Sequence, residues 1–188
     1  MIEDFNKDGY VTCFDFLDIP TTKTVSKYLE YKIHRGEWKP ETDVDVTAYE
    51  YYSDPLTEIL LETLQPKVEQ ATGLSLLPTY SFCRVYVEGE ELTPHIDRPS
   101  CEISVSINIA KLGKNSKIYM RSETKNDSYE LNIGDAIIYK GCEVVHWRKK
   151  LEPGMLNVQV MLHYVISDGK NVEYKFDKRP YLGHPIEV

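Results

Sequence analysis

The stretch His95-Ile96-Asp97-Arg98-Pro99-Ser100-Cys101-Glu102-Ile103-Ser104-Val105-Ser106-Ile107-Asn108-Ile109 decides how this chain is built. From Cys101 onward, apolar and polar residues alternate with a period of two. Ile103, Val105, Ile107 and Ile109 fall on one side, and Glu102, Ser104, Ser106 and Asn108 on the other. That is the signature of a strand whose two faces meet different surroundings. Just upstream, His95 and Asp97 are two positions apart, so on a strand or strand end they project to the same side.

Working outward, further strand-like runs follow. Asp135-Ala-Ile-Ile-Tyr139 leads through a turn at Gly141 to a second histidine, His146. Asn157 to Ser167 comes after Glu152-Pro153-Gly154. Strands are expected near 80–88, 102–110, 116–121, 127–132, 135–140 and 157–167, with another at 172–176. Asn132-Ile-Gly-Asp135 reads as a turn between two of them. Many short strands with polar turns favour a jelly roll, and a distant histidine returning beside His95 and Asp97 places a metal site at its mouth. Two imidazoles and one carboxylate occupy one face of a divalent metal and leave the opposite positions open, the ligand set of non-haem Fe(II) oxygenases.

Residues 1–78 carry helix signals. Thr21 or Thr22 is placed to cap a helix running to His34, with Val25, Tyr28, Leu29 and Ile33 on one face. Asp54-Pro55 starts a second helix with the stripe Leu56, Leu60, Leu64, Val68 and Ala71. Pro66 is expected to kink or divide it and Gly73 to end it. The fold class is therefore mainly β with N-terminal helices (α+β): one domain over 1–188, with a helix-containing zone at 1–78 and a β core at 79–180.

The chain has 188 residues, 41% hydrophobic and 28% charged, which suits one domain with a sizeable core. A net charge of −8 argues against binding nucleic acid through general phosphate attraction. No apolar run reaches membrane-spanning length, and Met-Ile-Glu-Asp is no secretory signal. The four cysteines, Cys13, Cys83, Cys101 and Cys142, form no CxxC and read as free thiols of a cytoplasmic protein. Asp4-Phe-Asn6-Lys-Asp8-Gly9-Tyr10, ending at Asp15, has the oxygen spacing of a calcium loop. The plainer reading is a polar turn at Asp8-Gly9 feeding a short strand.

Arg84-Val-Tyr86-Val-Glu-Gly89-Glu-Glu-Leu92-Thr-Pro-His95-Ile-Asp97 resembles the Y-x-x-G-x-x-L-x-x-H-x-D stretch of the 2-oxoglutarate/Fe(II)-dependent dioxygenases, in the prolyl-hydroxylase-like branch. Gly134-Asp135 through His146-Trp-Arg148 is similar to that family's second metal segment. The longer match, with Thr79-Tyr80 and Leu162-His163-Tyr164, resembles a bacterial or phage subgroup. The resemblance implies a double-stranded β-helix (jelly roll, cupin-like), Fe(II), 2-oxoglutarate and O2, and hydroxylation of a protein prolyl residue or a small molecule. It makes His95, Asp97 and His146 the metal ligands and catalytic centre, and sets Tyr86 near the cosubstrate. The family's basic residue for the far carboxylate of 2-oxoglutarate is missing from Met155-Leu-Asn157-Val-Gln159. Arg148 is the first replacement, with Arg98, Lys117 and Arg121 behind it. Asn108, Asn157 and Gln159 offer neutral hydrogen bonds. His163 reads as a satisfied core histidine, Trp147 as packing or pocket wall, and Cys101 and Cys142 as buried spacers. Two other readings are a non-catalytic metal-binding or interaction module on a cupin-like fold, and a calcium-binding protein through residues 4–15.

Overall fold

The computed structural model describes residues 1–38, 49–113 and 116–184. The alternating stretch forms β5 (Ile103–Leu112), which pairs antiparallel with β8 (Ala136–Lys140) on one side and β10 (Leu156–Ile166) on the other. β10 also pairs with β3 (Leu76–Val87). Facing these four strands is a second sheet of four, in the order β4 (Leu92–His95), β9 (Val145–Arg148), β6 (Lys117–Arg121), β7 (Asn126–Glu130). Two facing four-stranded antiparallel sheets are the double-stranded β-helix.

The two faces of β5 meet different partners, and neither is solvent. Ile103, Val105, Ile107 and Ile109 pack outward with Val160, Leu162 and Tyr164 of β10 and with Val25, Leu29, Leu60, Leu61 and Val68 of the covering helices. Each such buried aliphatic side chain contributes about 1.5–3 kcal/mol. Ser104, Ser106 and Asn108 are buried too, on the inner face between the sheets. β5 turns its polar face to the barrel interior, and there the site is built.

The covering helices are α2 (Ile19–His34) and α3 (Pro55–Thr72). The cap of α2 lies earlier than expected. Asp18, not Thr21 or Thr22, is the N-cap, and its carboxylate accepts the amide of Thr21 at 2.8 Å. A carboxylate satisfies an orphan helical amide better than a hydroxyl already committed elsewhere, and Thr22 Oγ1 donates back to Asp18 O at 2.7 Å. α3 begins at the expected Asp54 cap but runs undivided through Pro66. Tertiary packing of Leu60, Leu61, Val68 and Ala71 outweighs the hydrogen bond that proline removes.

The N-terminal zone is less separate than its sequence suggests. β1 (Tyr10–Cys13) extends the large sheet beside β8, and β2 (Tyr49–Tyr52) extends it beside β3. The calcium-loop reading of 4–15 is overturned. Ile2–Asp8 is a helix, α1, closed by Gly9, and a helix turns alternate side chains away from one another. Asp4 meets the N-terminal ammonium, and Asp8 accepts from Thr124. The strand expected at 172–176 is instead a 3-10 segment, Val172–Lys178, broken by left-handed residues.

Candidate active site

β4 and β9 pair so that His95 stands opposite His146. Their rings meet at 4.3 Å between centroids, tilted by 54°. Asp97 follows on the loop leaving β4. Its Oδ1 lies 3.6 Å from His95 Nε2 and 3.4 Å from His146 Nε2. The three ligand atoms all fall within 4.8 Å of one another. Donors bound about 2.1 Å from one ion lie roughly 3.0–3.4 Å apart, so this spacing needs little closure.

The tautomers suit a metal. His95 Nδ1 faces Thr93 O at 2.8 Å, and His146 Nδ1 faces Val144 O at 3.0 Å. A carbonyl only accepts, so each Nδ1 carries a proton and each Nε2 is left to face Asp97, placed to donate to the carboxylate when it carries a proton and to ligate a metal when it does not. Burial opposes ionisation of Asp97, but hydrogen bonds to His146 and His95 outweigh it and hold its carboxyl well below the usual range. Hydrogen bonding to Asp97 raises the His95 pKa against burial. Asp97 Oδ2 accepts from Ser104 Oγ at 2.9 Å, and Ser104 also meets His163 Nδ1 at 2.9 Å. His146 is buried, whereas the His95 side chain is 36% exposed, so the open side looks toward the cavity mouth.

These residues line a cavity of about 350 Å³ between the sheets. Tyr86, Arg148, Ser106, Tyr139, Met161 and Ile118 share its wall. Arg148 is 4% exposed. Its Nη1 reaches Ser116 O at 3.4 Å, its Nη2 has no hydrogen-bond partner, and its guanidinium stands 5.5 Å from the Tyr86 ring centre. Burial lowers the Arg148 pKa, with Tyr86 and Tyr139 opposing. A buried cation with an orphan N–H calls for an anion. The donor set fits a divalent metal, and the orphan N–H fits a ligand carboxylate.

No protein-family model matches the chain, and no curated protein matches it in sequence. Its structure is similar to a prolyl-4-hydroxylase from Pseudomonas putida: 14% identity, TM-score 0.68, over 87% of this chain and 95% of that one. It is similar to a prolyl hydroxylase from Trichoplax adhaerens solved with a peptide of hypoxia inducible factor: 12% identity, TM-score 0.69, over 87% and 86%. It is also similar to HygX from Streptomyces hygroscopicus, solved with nickel, 2-oxoglutarate and hygromycin B: 10% identity, TM-score 0.69, over 88% and 86%. This chain has the fold of the 2-oxoglutarate/Fe(II) oxygenases.

Within that oxygenase fold, the remaining expectations divide. Tyr86 is buried on the cavity wall, and its hydroxyl pKa is raised by burial against the pull of Arg148 and Arg84. Asn108 lies off the wall. Its amide donates to Leu131 O at 2.8 Å and its carbonyl accepts from Gln159 at 3.1 Å, so it braces the interior ladder rather than facing the cavity. Gln159 joins Ser106 and Asn157, and Asn157 joins Ser116. Lys117 and Arg121 stand on the outer side of β6 and do not reach the cavity. Trp147 also faces away, stacked on Tyr119 at 5.3 Å. His163 is buried and hydrogen-bonded, as a core histidine should be, but it also touches the cavity. Cys101 is buried, while Cys142 is only half-buried.

Sequence reasoning missed Arg84, which lines the cavity but is neutralised by Glu50 and Glu90. It missed Ser104 as the brace of Asp97, although Ser104 sat on the polar face of the alternating stretch. It missed Tyr139, whose ring packs 4.6 Å from His146. The position of Tyr139, third after Ala136 and second before Gly141, carries no distinguishing signal.

Proposed function

We propose that this chain is one Fe(II)- and 2-oxoglutarate-dependent dioxygenase domain, which hydroxylates a protein prolyl residue or a small molecule. The observation that carries the reading is the meeting, in one cavity, of an open three-donor face and a buried guanidinium with an orphan N–H. His95, Asp97 and His146 would hold the metal. Arg148 would receive the far carboxylate of 2-oxoglutarate, beside Tyr86, with Asn108 bracing the wall behind. When bound, Fe(II) and 2-oxoglutarate supply the oxidising chemistry: O2 is consumed, the cosubstrate leaves as succinate and CO2, and one oxygen atom enters a substrate C–H bond.

The protein's own part is positional. Backbone carbonyls at Thr93 and Val144 fix the two imidazoles, and Ser104 fixes the carboxylate. Ile118, Met161, Phe82 and Leu92 line the cavity with apolar surface that limits water. Two of the structural neighbours support either substrate class, one being a prolyl hydroxylase solved with a peptide and the other solved with hygromycin B. Free thiols at all four cysteines support a cytoplasmic setting. Among the described residues, no helix is long and apolar enough to cross a membrane.

The competing reading is a metal-binding module without turnover. Incubation with Fe(II), 2-oxoglutarate and O2 tests it: slow substrate-free release of succinate is expected. Metal and 2-oxoglutarate binding with no succinate, alone or with candidate substrates, would favour the module.

A further inference from the structure

Arg98 follows Asp97 and stands at the cavity rim. Its guanidinium is gripped as a fork: Nη1 donates to Asp177 Oδ1 at 3.2 Å and Nη2 to Oδ2 at 2.7 Å. Tyr52 donates its hydroxyl to the same Oδ2. The guanidinium lies 4.7 Å over the Tyr80 ring, and Tyr80 packs against Tyr52 at 4.8 Å. A bidentate arginine, a tyrosine hydroxyl and an aromatic floor are a carboxylate-binding set. The carboxylate that fills it is the protein's own.

The backbone that delivers Asp177 is strained. Phe176, Asp177 and Lys178 have φ of 54°, 53° and 64°, three consecutive left-handed residues, none of them glycine. No residue of Val172–Lys178 is buried, so core packing does not hold the turn. The next residue is fixed, since Arg179 pairs with Glu58 and donates to Thr79 O. Asp177 thus sits between a firm anchor and a turn that gains by relaxing. Its side chain is 10% exposed and that of Arg98 is 51% exposed, so the open edge of the pair belongs to Arg98.

We propose that Arg98, Tyr52 and Tyr80 form a carboxylate subsite for the substrate, and that Asp177 is a removable stand-in that fills it until substrate arrives. The inference rests on the oxygenase reading, because it is the adjoining metal face that makes a ligand here a substrate. The incoming carboxylate takes the Arg98 fork, Asp177 swings out, and relief of the left-handed turn offsets part of the lost ion pair. The substrate class is then a carboxylate carrier: a small acid, or an acidic side chain of a peptide.

The test uses the full chain with Fe(II) and 2-oxoglutarate, without O2. The probes are N-acetyl-alanine against its carboxamide, and capped Ala-Glu-Ala against capped Ala-Gln-Ala. Binding is read from hydrogen exchange over residues 171–179 and from the visible band of the metal–2-oxoglutarate chelate. One carboxylate probe should bind Asp177→Asn at least tenfold more tightly than it binds the wild type, and its amide should bind neither. Arg98→Gln should abolish that binding and Arg98→Lys restore part of it, with near-UV circular dichroism confirming the fold of each variant. The probe that binds identifies the source, acid or peptide. If Asp177→Asn only lowers the melting temperature and gains no affinity for either carboxylate, the pair is a surface staple and the inference falls. If the chelate band is missing in the wild type, the oxygenase reading fails, while exchange protection by the carboxylate still judges the subsite on its own.

Discussion

Gly141 stands directly against Asp97. Its carbonyl accepts the Asp97 amide at 2.8 Å, and a Cβ built on it would fall 2.5 Å from Asp97 Oδ2 and 2.2 Å from Cys101 O. The turn before His146 is thus also the backrest of the carboxylate, so two of the three proposed ligands share one support. Gly141→Ala must displace backbone as well as side chain. It should destabilise the protein by about 1–3 kcal/mol and weaken Fe(II) binding at least tenfold. Thermal denaturation and anaerobic metal titration check the two effects separately.

Arg148 lines the cavity, and its buried Nη2 has no hydrogen-bond partner. Arg148→Ala should weaken 2-oxoglutarate about 30- to 100-fold, the loss of roughly 2–3 kcal/mol from a desolvated charge pair. Metal affinity without 2-oxoglutarate should stay within about twofold. Calorimetry with Fe(II), with and without the cosubstrate, separates the two. Equal loss of metal and 2-oxoglutarate binding would mean that Arg148 only supports the fold.

Opposite faces of β5 should respond differently to truncation. Ile107→Ala removes an outward side chain buried at 0% exposure and should cost about 2–5 kcal/mol in urea denaturation. Ser104→Ala, on the inner face, should cost much less stability but loosen Asp97, and so show mainly as weaker metal binding.

His163 supplies a pH dependence in the metal-free protein. Burial pushes its pKa from 6.5 down to about 4. Between those values the unfolded chain binds the proton and the native protein does not, so stability falls as pH drops through that window, by roughly 3 kcal/mol in all. His95 acts in the opposite sense: its pKa is raised, so its contribution is present at low pH and lost as pH rises through the folded value. The difference between wild type and His163→Gln isolates the first effect. The stability of the wild type relative to His163→Gln should rise from pH 4 toward pH 7 and level off above it.

The His95–Asp97 pair and the strand texture were legible because both rest on short-range rules: i, i+2 spacing places His95 with Asp97, and strict alternation marks Ile103–Ile109. What alternation could not tell was which face meets what. Ser104, Ser106 and Asn108 read as candidates for solvent or ligand, yet two facing sheets bury them inside the barrel. Asn108 is used up there by a chain of amides from strands distant in sequence. The strands β4 and β9 are four residues each, too short and too polar to stand out, although their pairing makes the site. The segment at 172–178 failed for a different reason. Its shape follows from Arg98 and Arg179 gripping Asp177 and its neighbours, a tertiary constraint with no local trace.

The most direct test is anaerobic titration of the metal-free protein with Fe(II) and then 2-oxoglutarate, followed by visible absorption. The account predicts a weak charge-transfer band that appears only when both are present, saturates at one equivalent of iron, and is lost in His95→Ala, Asp97→Ala and His146→Ala. No band in the folded wild type, or a band that survives in His146→Ala, would contradict it.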